Sequence, residues 1–582
     1  MNDTVATHLS DLPGTGVEKP LVVNEHNTPW TDKFDVIVVG MGAAGVSAAI
    51  EAADRGMKVA GIDRFIGGGT TARSGSVLYA GGGTSLQKKL GVDDNPDAMF
   101  RYLQTEVKDA VKPETLQKFC NDSPANFDWV TANGVRYSGK LFPSKTSYPV
   151  HGNSLYFSGN EIACSDLAKP AARGHLADGI KRFTAFGPAF VGPLLKSALK
   201  KGVFPILQTR VTRLVVNERG DVVGVEAQQV SASGKVGFLH RFYGTLANYA
   251  QIYYAPAAKG FRQKVEQLEK QFSRTVLYRA KGGVVLSSGG FILNKDMTEK
   301  YLPKYRRAMR LGTSGDTGAG IALGVSVGGV AERLGTATAW RFINPPADWP
   351  KSALVDTKGQ RYINESLYGA TIGTKMMEDH NGECILILDD VLFKKSVANL
   401  NLDNARFVTW LQAKGALRMA KHADSLEALA QRCKIDPAQL QQTVADYNAA
   451  ARGEKNDVLG KKKDDMHELK QAPFHAINLS VGKGDITSVI TLGGLKVCEK
   501  TGAVLNQAGA PIRGLFAAGR TAIGVASNAY ISGLSIADGV FSGRRAGQYA
   551  ALCAELPQEH SHQTHSTTPG TAPTAGCPFA HS

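Results

Sequence analysis

The segment FDVIVVGMGAAGVSAAIEAADRGMKVAGIDR, residues 34–64, indicates the fold class. Residues 34–39 form a short apolar run rich in β-branched side chains, which is typical of a buried parallel strand. Residues 43–55 have small residues at helical spacing, and residues 59–62 predict a second strand that ends in Asp63. A strand, a glycine turn, a helix and a second strand in this order predict an α/β fold.

Three glycines, Gly40, Gly42 and Gly45, lie where the first strand meets the helix. Glycines at this spacing permit a tight turn and let the backbone approach a pyrophosphate, which the N-terminus of the helix then faces. Asp63 follows Gly40 by 23 residues, and an acidic residue at this distance binds ribose hydroxyls. The segment therefore predicts a dinucleotide site, and the glycine pattern alone is compatible with FAD and with NAD.

Glycine is abundant along the whole chain. It accounts for 64 of 582 residues, well above the average of about 7%. The glycines cluster at residues 40–45, 67–69, 81–83, 282–290 and 493–494. Because glycine allows positive φ and close backbone approach, these clusters indicate one large shared ligand. With 43% hydrophobic and 20% charged residues, the bulk of the chain is expected to be globular.

The charge and the cysteines exclude several classes of protein. The net charge is +15, but the basic residues are scattered and form no basic arm, so we expect no nucleic-acid partner. The seven cysteines are odd in number and never occur as CxxC, so we expect reduced thiols and no metal site. Neither a signal-peptide pattern nor a window of about 20 apolar residues occurs, so we expect a cytoplasmic protein, with peripheral membrane association left open.

A second glycine-rich stretch, IGGGTTARSGSVLYAGGGT at residues 66–84, resembles the GGxTxxSGG stretch of the fumarate reductase and 3-ketosteroid dehydrogenase flavoprotein superfamily. In that superfamily the loop runs beside the pyrophosphate and ribityl chain of FAD. The three glycines let backbone N–H groups face an anion, and Thr70, Thr71 and Ser74 offer hydroxyl donors. The resemblance implies that the cofactor is FAD.

Further stretches extend this resemblance over residues 34–550. Residues 203–227 predict a hairpin and 282–294 a buried strand, similar to the β-meander and the returning strand of the superfamily. SGDTGAGIALGVSVGG (314–329) resembles its GxGxxAxxxG helix near the flavin, and GQRYINESLYG (359–369) resembles its GxRFxNE motif. Residues 514–547 resemble the end of its FAD domain, with a strand at 516–518 and a helix at 533–546.

These segments imply a Rossmann-like FAD-binding domain that is discontinuous and carries an inserted α+β substrate and catalytic domain. The predicted boundaries are a flexible tail at 1–30, the FAD domain at 31–294 and 476–556, the substrate domain at 295–475, and a flexible tail at 557–582. We find one dinucleotide fingerprint and no second, so NAD is not expected as the electron acceptor, which stays unidentified.

The glycine pattern and the resemblance together predict the FAD-binding residues. They are Gly40, Gly42, Ala43, Ala44, Gly45, Asp63, Arg64, Gly69, Thr70, Thr71, Ser74, Gly75, Gly81, Gly82, Val211, Gly290, Gly519, Asn528, Leu534, Ser535 and Ile536. The resemblance places the backbone near Val211 beside the adenine. The helix that begins near Leu534 would point its N–H groups at the flavin pyrimidine edge, where they stabilise the negative charge of the reduced flavin.

Residues 240–280 form an unusual insert in the predicted meander. Aromatic residues (Phe242, Tyr243, Tyr249, Tyr253, Tyr254) alternate there with basic residues (Arg241, Lys259, Arg262, Lys264, Lys270, Arg274). Residues 261–272 are compatible with an amphipathic helix. The aromatic residues either pack on the protein or on a second subunit, or they contact an anionic membrane surface.

The substrate class follows from the stretch ATAWRFINPPADWP at 337–350. Superfamily members that reduce fumarate carry arginine and histidine clamps for a dicarboxylate in this region. Here Arg341 stands alone among Trp340, Phe342 and Trp349, and an apolar aromatic pocket fits a bulky hydrophobic substrate better than a small dianion. The resemblance therefore favours a ketosteroid.

Two classes of ketosteroid dehydrogenase share this scaffold. The Δ1 enzymes have a glycine four residues after a tyrosine, whereas Tyr530 is followed at that spacing by Leu534. The stretch is closer to the 3-oxo-5α-steroid Δ4-dehydrogenases, in which a Tyr-x-Ser at this location and a tyrosine just after the NE motif line the site. By position these residues are Tyr530, Ser532 and Tyr368.

The resemblance implies FAD-dependent dehydrogenation of a 3-ketosteroid, in which a proton leaves the carbon next to the C3 ketone and a hydride passes to flavin N5. A tyrosine titrates far above neutral pH, so Tyr530, Ser532 and Tyr368 are expected to act together in carbonyl activation and proton abstraction. A 3-ketosteroid Δ1-dehydrogenase, a fumarate-type reductase of an unsaturated acid, and a steroid- or lipid-binding flavoprotein with little turnover remain as alternatives. Oligomerisation also stays open.

Overall fold

The computed structural model describes residues 5–147, 149, 152–179, 187–253, 255–401, 407–483 and 487–556. Its helices are α1 Ala43–Ala53, α2 Ser85–Lys89, α3 Pro96–Val107, α4 Pro113–Ala132, α5 Pro188–Lys200, α6 Gly234–Tyr253, α7 Ala255–Phe272, α8 Lys295–Tyr301, α9 Ala319–Ser326, α10 Gly369–Asp379, α11 Asp390–Asn399, α12 Phe407–Arg418, α13 Leu426–Cys433, α14 Pro437–Arg452 and α15 Leu534–Glu555. Short 3₁₀ turns supplement them, including Gly69–Arg73 and Gly519–Thr521.

The strands are β1 Leu21–Val22, β2 Asp32–Val39, β3 Val59–Ile62, β4 Val77–Tyr79, β5 Lys140–Lys145, β6 Asn153–Phe157, β7 Gly174–Leu176, β8 Phe204–Ile206, β9 Thr209–Val216, β10 Val222–Val230, β11 Ser273–Leu286, β12 Met309–Arg310, β13 Ala331–Glu332, β14 Ala337–Trp340, β15 Ala353–Val355, β16 Ile385–Leu388, β17 Lys421–Ala423, β18 Phe474–Asn478, β19 Ser488–Thr491, β20 Gly494–Leu495, β21 Ala503–Leu505 and β22 Pro511–Ala517.

The central sheet has the order β1-β9-β10-β11-β2-β3-β8, and β22 pairs with β11. Strands β22, β11, β2, β3 and β8 are parallel, and α1 connects β2 to β3 as predicted. The buried apolar run at the end of β2 explains its position inside the sheet. Strands β9, β10 and the first half of β11 form the antiparallel meander, so the predicted Rossmann-like α/β fold is confirmed.

Smaller sheets surround this layer. One has the order β4-β7-β6-β5, another β12-β19-β14, and a third β15-β16-β18-β17. The predicted end of the substrate domain at residue 475 falls inside β18. Because β18 pairs with β16, β19 with β14 and β20 with β13, sheet pairing joins residues through 495 to the inserted segment.

The N-terminal segment differs from the flexible tail predicted for residues 1–30. From residue 5 onward it packs on the protein: Ala6 bridges to Ala331, Leu12 is buried, and β1 adds to the edge of the sheet beside β9. Tyr301 also donates a hydrogen bond to the carbonyl of Asp11. The polar composition of this segment gives no sign of these few contacts, so the prediction of a flexible tail is wrong for residues 5–30. The tail predicted at 557–582 lies outside the described residues.

The insert between β10 and β11 is a helical hairpin made of α6 and α7. It begins at Gly234 and ends at Phe272, and β11 starts at the next residue. The insert therefore begins and ends earlier in the chain than the predicted span of 240–280. The amphipathic helix predicted at 261–272 lies within α7. Tyr254 and the side chain of Tyr253 lie outside what the structure describes. Within the described residues, none of the helices is both long and apolar enough to cross a bilayer.

Helix α15 packs directly on α1 through small residues. A Cβ added to Gly543 would lie 2.2 Å from the carbonyl oxygen of Ala44, and one added to Gly547 would lie 2.2 Å from that of Ala48. The two helix backbones therefore touch, and glycine is required at both positions. This contact brings the N-terminus of α15 to the carboxyl ends of the strands.

We expect Gly547→Ala to lower the denaturant midpoint of the apoprotein, because the new methyl would overlap the α1 backbone at a cost of about 1–3 kcal/mol. Gly260→Ala in α7 is the control, since a Cβ there meets nothing within 4 Å. That change should leave the protein equally or slightly more stable, by up to about 1 kcal/mol. Equal midpoints for the Gly547 variant and the wild type would contradict direct helix contact.

Candidate active site

A cavity of about 370 Å³ lies at the carboxyl edge of the central sheet. The ends of four strands line it: Val39 of β2, Ile62 of β3, Ser287 after β11 and Gly519 after β22. This edge is where open α/β sheets bind their ligands. The volume falls within the range of about 300–1,000 Å³ that is usual for small-molecule and cofactor sites.

The turn between β2 and α1 forms one wall of the cavity. Gly40 has φ +97°, and a Cβ there would lie 2.7 Å from the Cα of Ser288. A Cβ on Gly45 would lie 1.8 Å from the Gly40 oxygen, so both positions require glycine. Gly42 differs, because a Cβ there would meet Thr71 Oγ1 at 3.5 Å and the Gly68 oxygen at 4.0 Å, both ordinary contact distances, and the residue lines the cavity. The open space in front of Gly42 fits a group that approaches the backbone, as a pyrophosphate does.

Asp63 and Arg64 lie at the end of β3 and line the cavity. The carboxylate of Asp63 accepts hydrogen bonds from the backbone N–H groups of Met41 at 3.0 Å and Phe65 at 2.8 Å. Burial raises the pKa of Asp63 despite these bonds. The guanidinium of Arg64 donates two hydrogen bonds of 2.8 Å to Glu269 on α7.

The loop at residues 66–75 lies opposite the glycine turn. Gly67, Gly68 and Gly69 all have positive φ, and a short 3₁₀ turn begins at Gly69. Thr71 Oγ1 accepts a hydrogen bond from Ala43 N at 3.0 Å, which ties the loop to the start of α1. The two predicted phosphate-facing segments therefore form one continuous surface.

The structure brings most of the predicted FAD-binding residues to the cavity. Those that line it are Gly40, Gly42, Ala43, Ala44, Asp63, Arg64, Gly69, Thr70, Thr71, Ser74, Gly75, Val211, Gly519, Ser535 and Ile536. Six others, Gly45, Gly81, Gly82, Gly290, Asn528 and Leu534, are not among the lining residues. Gly81 N donates to Ser123, Gly82 N to Asp94, and Asn528 Nδ2 to the carbonyl of Glu106, so these groups are engaged inside the protein.

Arg520, which the sequence analysis missed, also lines the cavity. Its Nη2 donates to Asp316 Oδ1 at 2.8 Å, and Asp316 is in turn bonded to Thr70. Its Nη1 is buried and has no hydrogen-bond partner among the described residues. A buried donor without a partner is costly, so this atom fits a bound group that carries an acceptor, such as FAD. Arg520 directly follows Gly519, a predicted FAD-binding residue, and this position could have drawn attention to it.

The other end of the cavity is aromatic and apolar. Trp340 and Phe342 line it together with Tyr530, Leu311 and Ile490. The ring of Tyr530 meets Trp340 edge to face at 4.9 Å between centroids. This arrangement provides a surface for a flat hydrophobic molecule beside a phenol hydroxyl.

The three predicted catalytic residues differ in their access to the cavity. Tyr530 lines it. Tyr368 is 2% exposed and packs behind Phe342, with 5.9 Å between the ring centroids. Ser532 is also buried, and its Oγ lies 3.3 Å from the hydroxyl of Tyr156. Tyr156 is therefore a further hydroxyl beside the predicted site, and no local motif in the sequence singles it out.

A buried polar network supports this wall. The Asn160 side chain accepts from Tyr368 N at 2.5 Å and donates to Glu106 at 2.7 Å. Tyr102 also donates to Glu106, and burial raises the pKa of Glu106. Because every link is buried and bonded, the network fixes the backbone at Tyr368, where α10 begins.

Comparison with known proteins agrees with this geometry. The family described as FAD binding domain matches residues 35–536. The chain belongs to this FAD-binding family. FAD is thus its cofactor, and the residues of the cavity fit that group.

Relatives of the FAD-binding chain include steroid dehydrogenases. It is 35% identical over 527 residues to the 3-oxo-5-alpha-steroid 4-dehydrogenase of Comamonas testosteroni, a match that covers 88% of this chain and 97% of the relative. It is 26% identical to the 3-oxosteroid 1-dehydrogenase of Mycolicibacterium smegmatis, over 86% of this chain and 93% of that protein. The crystal structure of 3-ketosteroid-delta4-(5alpha)-dehydrogenase from Rhodococcus jostii RHA1 with 4-androstene-3,17-dione has a TM-score of 0.76 and 29% identity, and covers 92% of this chain and 100% of that chain.

Two glycine variants should separate cofactor contact from folding. Gly42→Ala places its methyl in the cavity, so we expect it to raise the Kd for FAD at least about tenfold while the apoprotein keeps its stability. Gly45→Ala places its methyl on the Gly40 oxygen and should destabilise the apoprotein itself. Flavin fluorescence titration and denaturant unfolding measure the two effects. Unchanged FAD affinity in Gly42→Ala would contradict a cofactor at this turn.

Proposed function

We propose that the protein is an FAD-dependent 3-ketosteroid dehydrogenase that introduces the Δ4 double bond into 3-oxo-5α-steroids. The observation that carries this proposal is the cavity, which runs from the glycine turn at Gly42 to the aromatic wall at Trp340, Phe342 and Tyr530. One cavity thus provides a cofactor end and an apolar end. The similarity to the Comamonas testosteroni 3-oxo-5-alpha-steroid 4-dehydrogenase over most of both chains supports the same activity.

The surroundings of Arg341 argue against a small dicarboxylate as substrate. This arginine is fully buried, donates a hydrogen bond to Thr487 Oγ1, and is not among the cavity-lining residues. The neighbours that do line the cavity are Trp340 and Phe342. A dianion would need cations at this wall, whereas a steroid needs the apolar surface that is present.

The proposed reaction removes two hydrogens from adjacent carbons of the steroid A ring. FAD, when bound in the cavity, would supply the two-electron acceptor for the hydrogen that leaves C5 with its electron pair. The protein polarises the C3 carbonyl, which makes the C4 hydrogen more acidic, and accepts the C4 proton. Loss of these two hydrogens would form the C4–C5 double bond and oxidise the steroid by two electrons, which the bound FAD would take up.

We assign carbonyl activation and C4 deprotonation jointly to Tyr530, Ser532 and Tyr368. Tyr530 lines the cavity and is held edge to face by Trp340. Ser532 lies beside the Tyr156 hydroxyl, and Tyr368 is held through its backbone by Asn160. Hydroxyl groups that donate hydrogen bonds to a phenolate lower the pKa of the phenol, so a larger fraction is in the deprotonated form that can accept the C4 proton, which favours joint action.

We expect Tyr530→Phe to lower the turnover of a saturated 5α-3-ketosteroid about 10²–10⁴-fold, because it removes one acid–base group. The assay follows bleaching of the flavin absorbance under anaerobic conditions, with an artificial dye as acceptor for steady-state rates. Tyr301→Phe is the matched control, since that hydroxyl bonds to the Asp11 carbonyl and lies outside the cavity lining. It should keep the wild-type rate.

Analysis of the product decides between the alternatives. A double bond at C1 instead of C4 would assign the chain to the Δ1 class, and oxidation of reduced dye by fumarate would assign it to the reductases. Full activity in Tyr530→Phe would remove that residue from the mechanism. If no ketosteroid bleaches the flavin, the proposal fails and a binding protein with little turnover takes its place.

We further propose that α6 contacts an anionic membrane surface. Phe238 and Phe242 lie on one face of this helix at a spacing of four, and they are 57% and 47% exposed. Lys235 and Lys264 are exposed nearby, and the chain has a net charge of +15. An exposed aromatic face with a basic rim is complementary to anionic lipid headgroups.

Vesicle sedimentation tests this contact. The double variant Phe238→Ser/Phe242→Ser should lose most of the binding that the wild type shows to vesicles that contain phosphatidylserine. Neither the wild type nor the variant should bind neutral phosphatidylcholine vesicles at moderate salt. The double variant should keep its activity in detergent-free solution. If the wild type does not sediment with anionic vesicles and instead elutes as a dimer that the variant lacks, a second copy of the chain covers this face.

A further inference from the structure

The α6–α7 hairpin is attached to segments that line the FAD cavity from two sides. His240 stacks on Phe65 with 5.9 Å between ring centroids. Asn248 Oδ1 accepts hydrogen bonds from the backbone and hydroxyl of Ser314, at 2.9 and 3.0 Å. These contacts join the hairpin to the end of β3 and to the segment that precedes α9. An insert held in this way is placed to influence the cofactor.

Glu269 on α7 is the polar centre of this attachment. Its two carboxylate oxygens each accept a hydrogen bond of 2.8 Å from Arg64. The same carboxylate lies 3.2 Å from His240 Nε2 and 4.0 Å from Arg210 Nη1. Both arginines, unlike Glu269, line the cavity. One carboxylate from the insert therefore holds two cavity-lining guanidinium groups.

The electrostatics make this arrangement dependent on the carboxylate. Burial lowers the pKa of Arg210, and the nearby positive charge of Arg64 lowers it further. Arg64, His240 and Arg210 hold the pKa of Glu269 at about 2 against the opposing effect of burial, so the carboxylate is ionised at neutral pH. A two-bond pair fixes the plane of the Arg64 guanidinium and thus the direction of its remaining N–H donors.

The position of the arginines identifies the part of the cofactor involved. Arg64 directly follows Asp63 at the end of β3, and Arg210 directly precedes Val211; both arginines line the cavity. Residues after the second strand of a dinucleotide fold meet the adenosine part of the ligand. Guanidinium groups there suit ribose oxygens and phosphates.

We propose that Glu269 is a positioning residue for FAD, which holds Arg64 and Arg210 toward the adenosine diphosphate part of the cofactor. The inserted hairpin thereby contributes to cofactor affinity without lining the cavity. This role concerns the cofactor alone, so it stands or falls independently of the steroid activity proposed above.

The test measures binding of FAD and of ADP to the apoprotein. Glu269→Gln should raise both dissociation constants by the same factor, about tenfold, which corresponds to the loss of one charge-assisted hydrogen bond. Glu226→Gln is the matched control: Glu226 pairs with Arg213 at 2.7 Å, its side chain is 11% exposed against 10% for Glu269, and Arg213 does not line the cavity. The control should leave both constants unchanged.

A double-mutant comparison shows whether Glu269 acts through the arginine. In an Arg64→Ala background, Glu269→Gln should have a much smaller effect on the Kd for FAD than it has in the wild type. Arg64→Lys keeps the charge but cannot make the two-bond contact, so it should weaken FAD binding even if Glu269→Gln fails to fold.

Three results would overturn the proposal. The first is unchanged FAD affinity in both Glu269→Gln and Arg64→Lys together with a loss of thermal stability equal to that of Glu226→Gln. The ion pair would then have a purely structural role. Another is weaker binding of FAD with unchanged binding of ADP, which would place the effect at the flavin. The third is an undiminished effect of Glu269→Gln in the Arg64→Ala background.

Discussion

Direct contact between backbones at the first glycine turn is the constraint on which the rest of the structure depends. Gly40 lies against Ser288 after β11, and Gly45 lies against the oxygen of Gly40. Helix α15 also approaches α1, at Gly543 and Gly547. These contacts leave no room for side chains, so two strands and two helices that are distant in sequence meet at one point. The cavity opens directly above that point.

The parts of the fold that depend on local pattern could be predicted from the sequence. The apolar run of β2, the small residues of α1 and the glycines between them are near neighbours in the chain, and each follows a rule of local geometry. The same holds for β3 and Asp63. The anchoring of residues 5–30 could not be predicted, because it depends on a few long-range contacts such as that between Ala6 and Ala331.

The site shows the same division. Sequence motifs located the residues around the predicted cofactor, and most of them line the cavity. The sequence did not predict Tyr156, Asn160 or Glu269. Each contacts a partner more than 200 residues away, namely Ser532, Tyr368 and Arg64 respectively. A side chain whose importance comes from such a partner has no local signature. Tyr368 was found by motif, but its place behind Phe342 depends on tertiary packing.

The order of the cavity walls along the chain has a consequence for biosynthesis. The lining begins at Val39 and extends to Gly539 on α15, which follows every other described helix and strand. During translation the N-terminal strands are made first, yet the site lacks a wall until α15 docks on α1. In a nascent chain the carboxyl edge of the sheet is therefore exposed to solvent until α15 has docked. Binding of the flavin accordingly belongs to the last stage of folding.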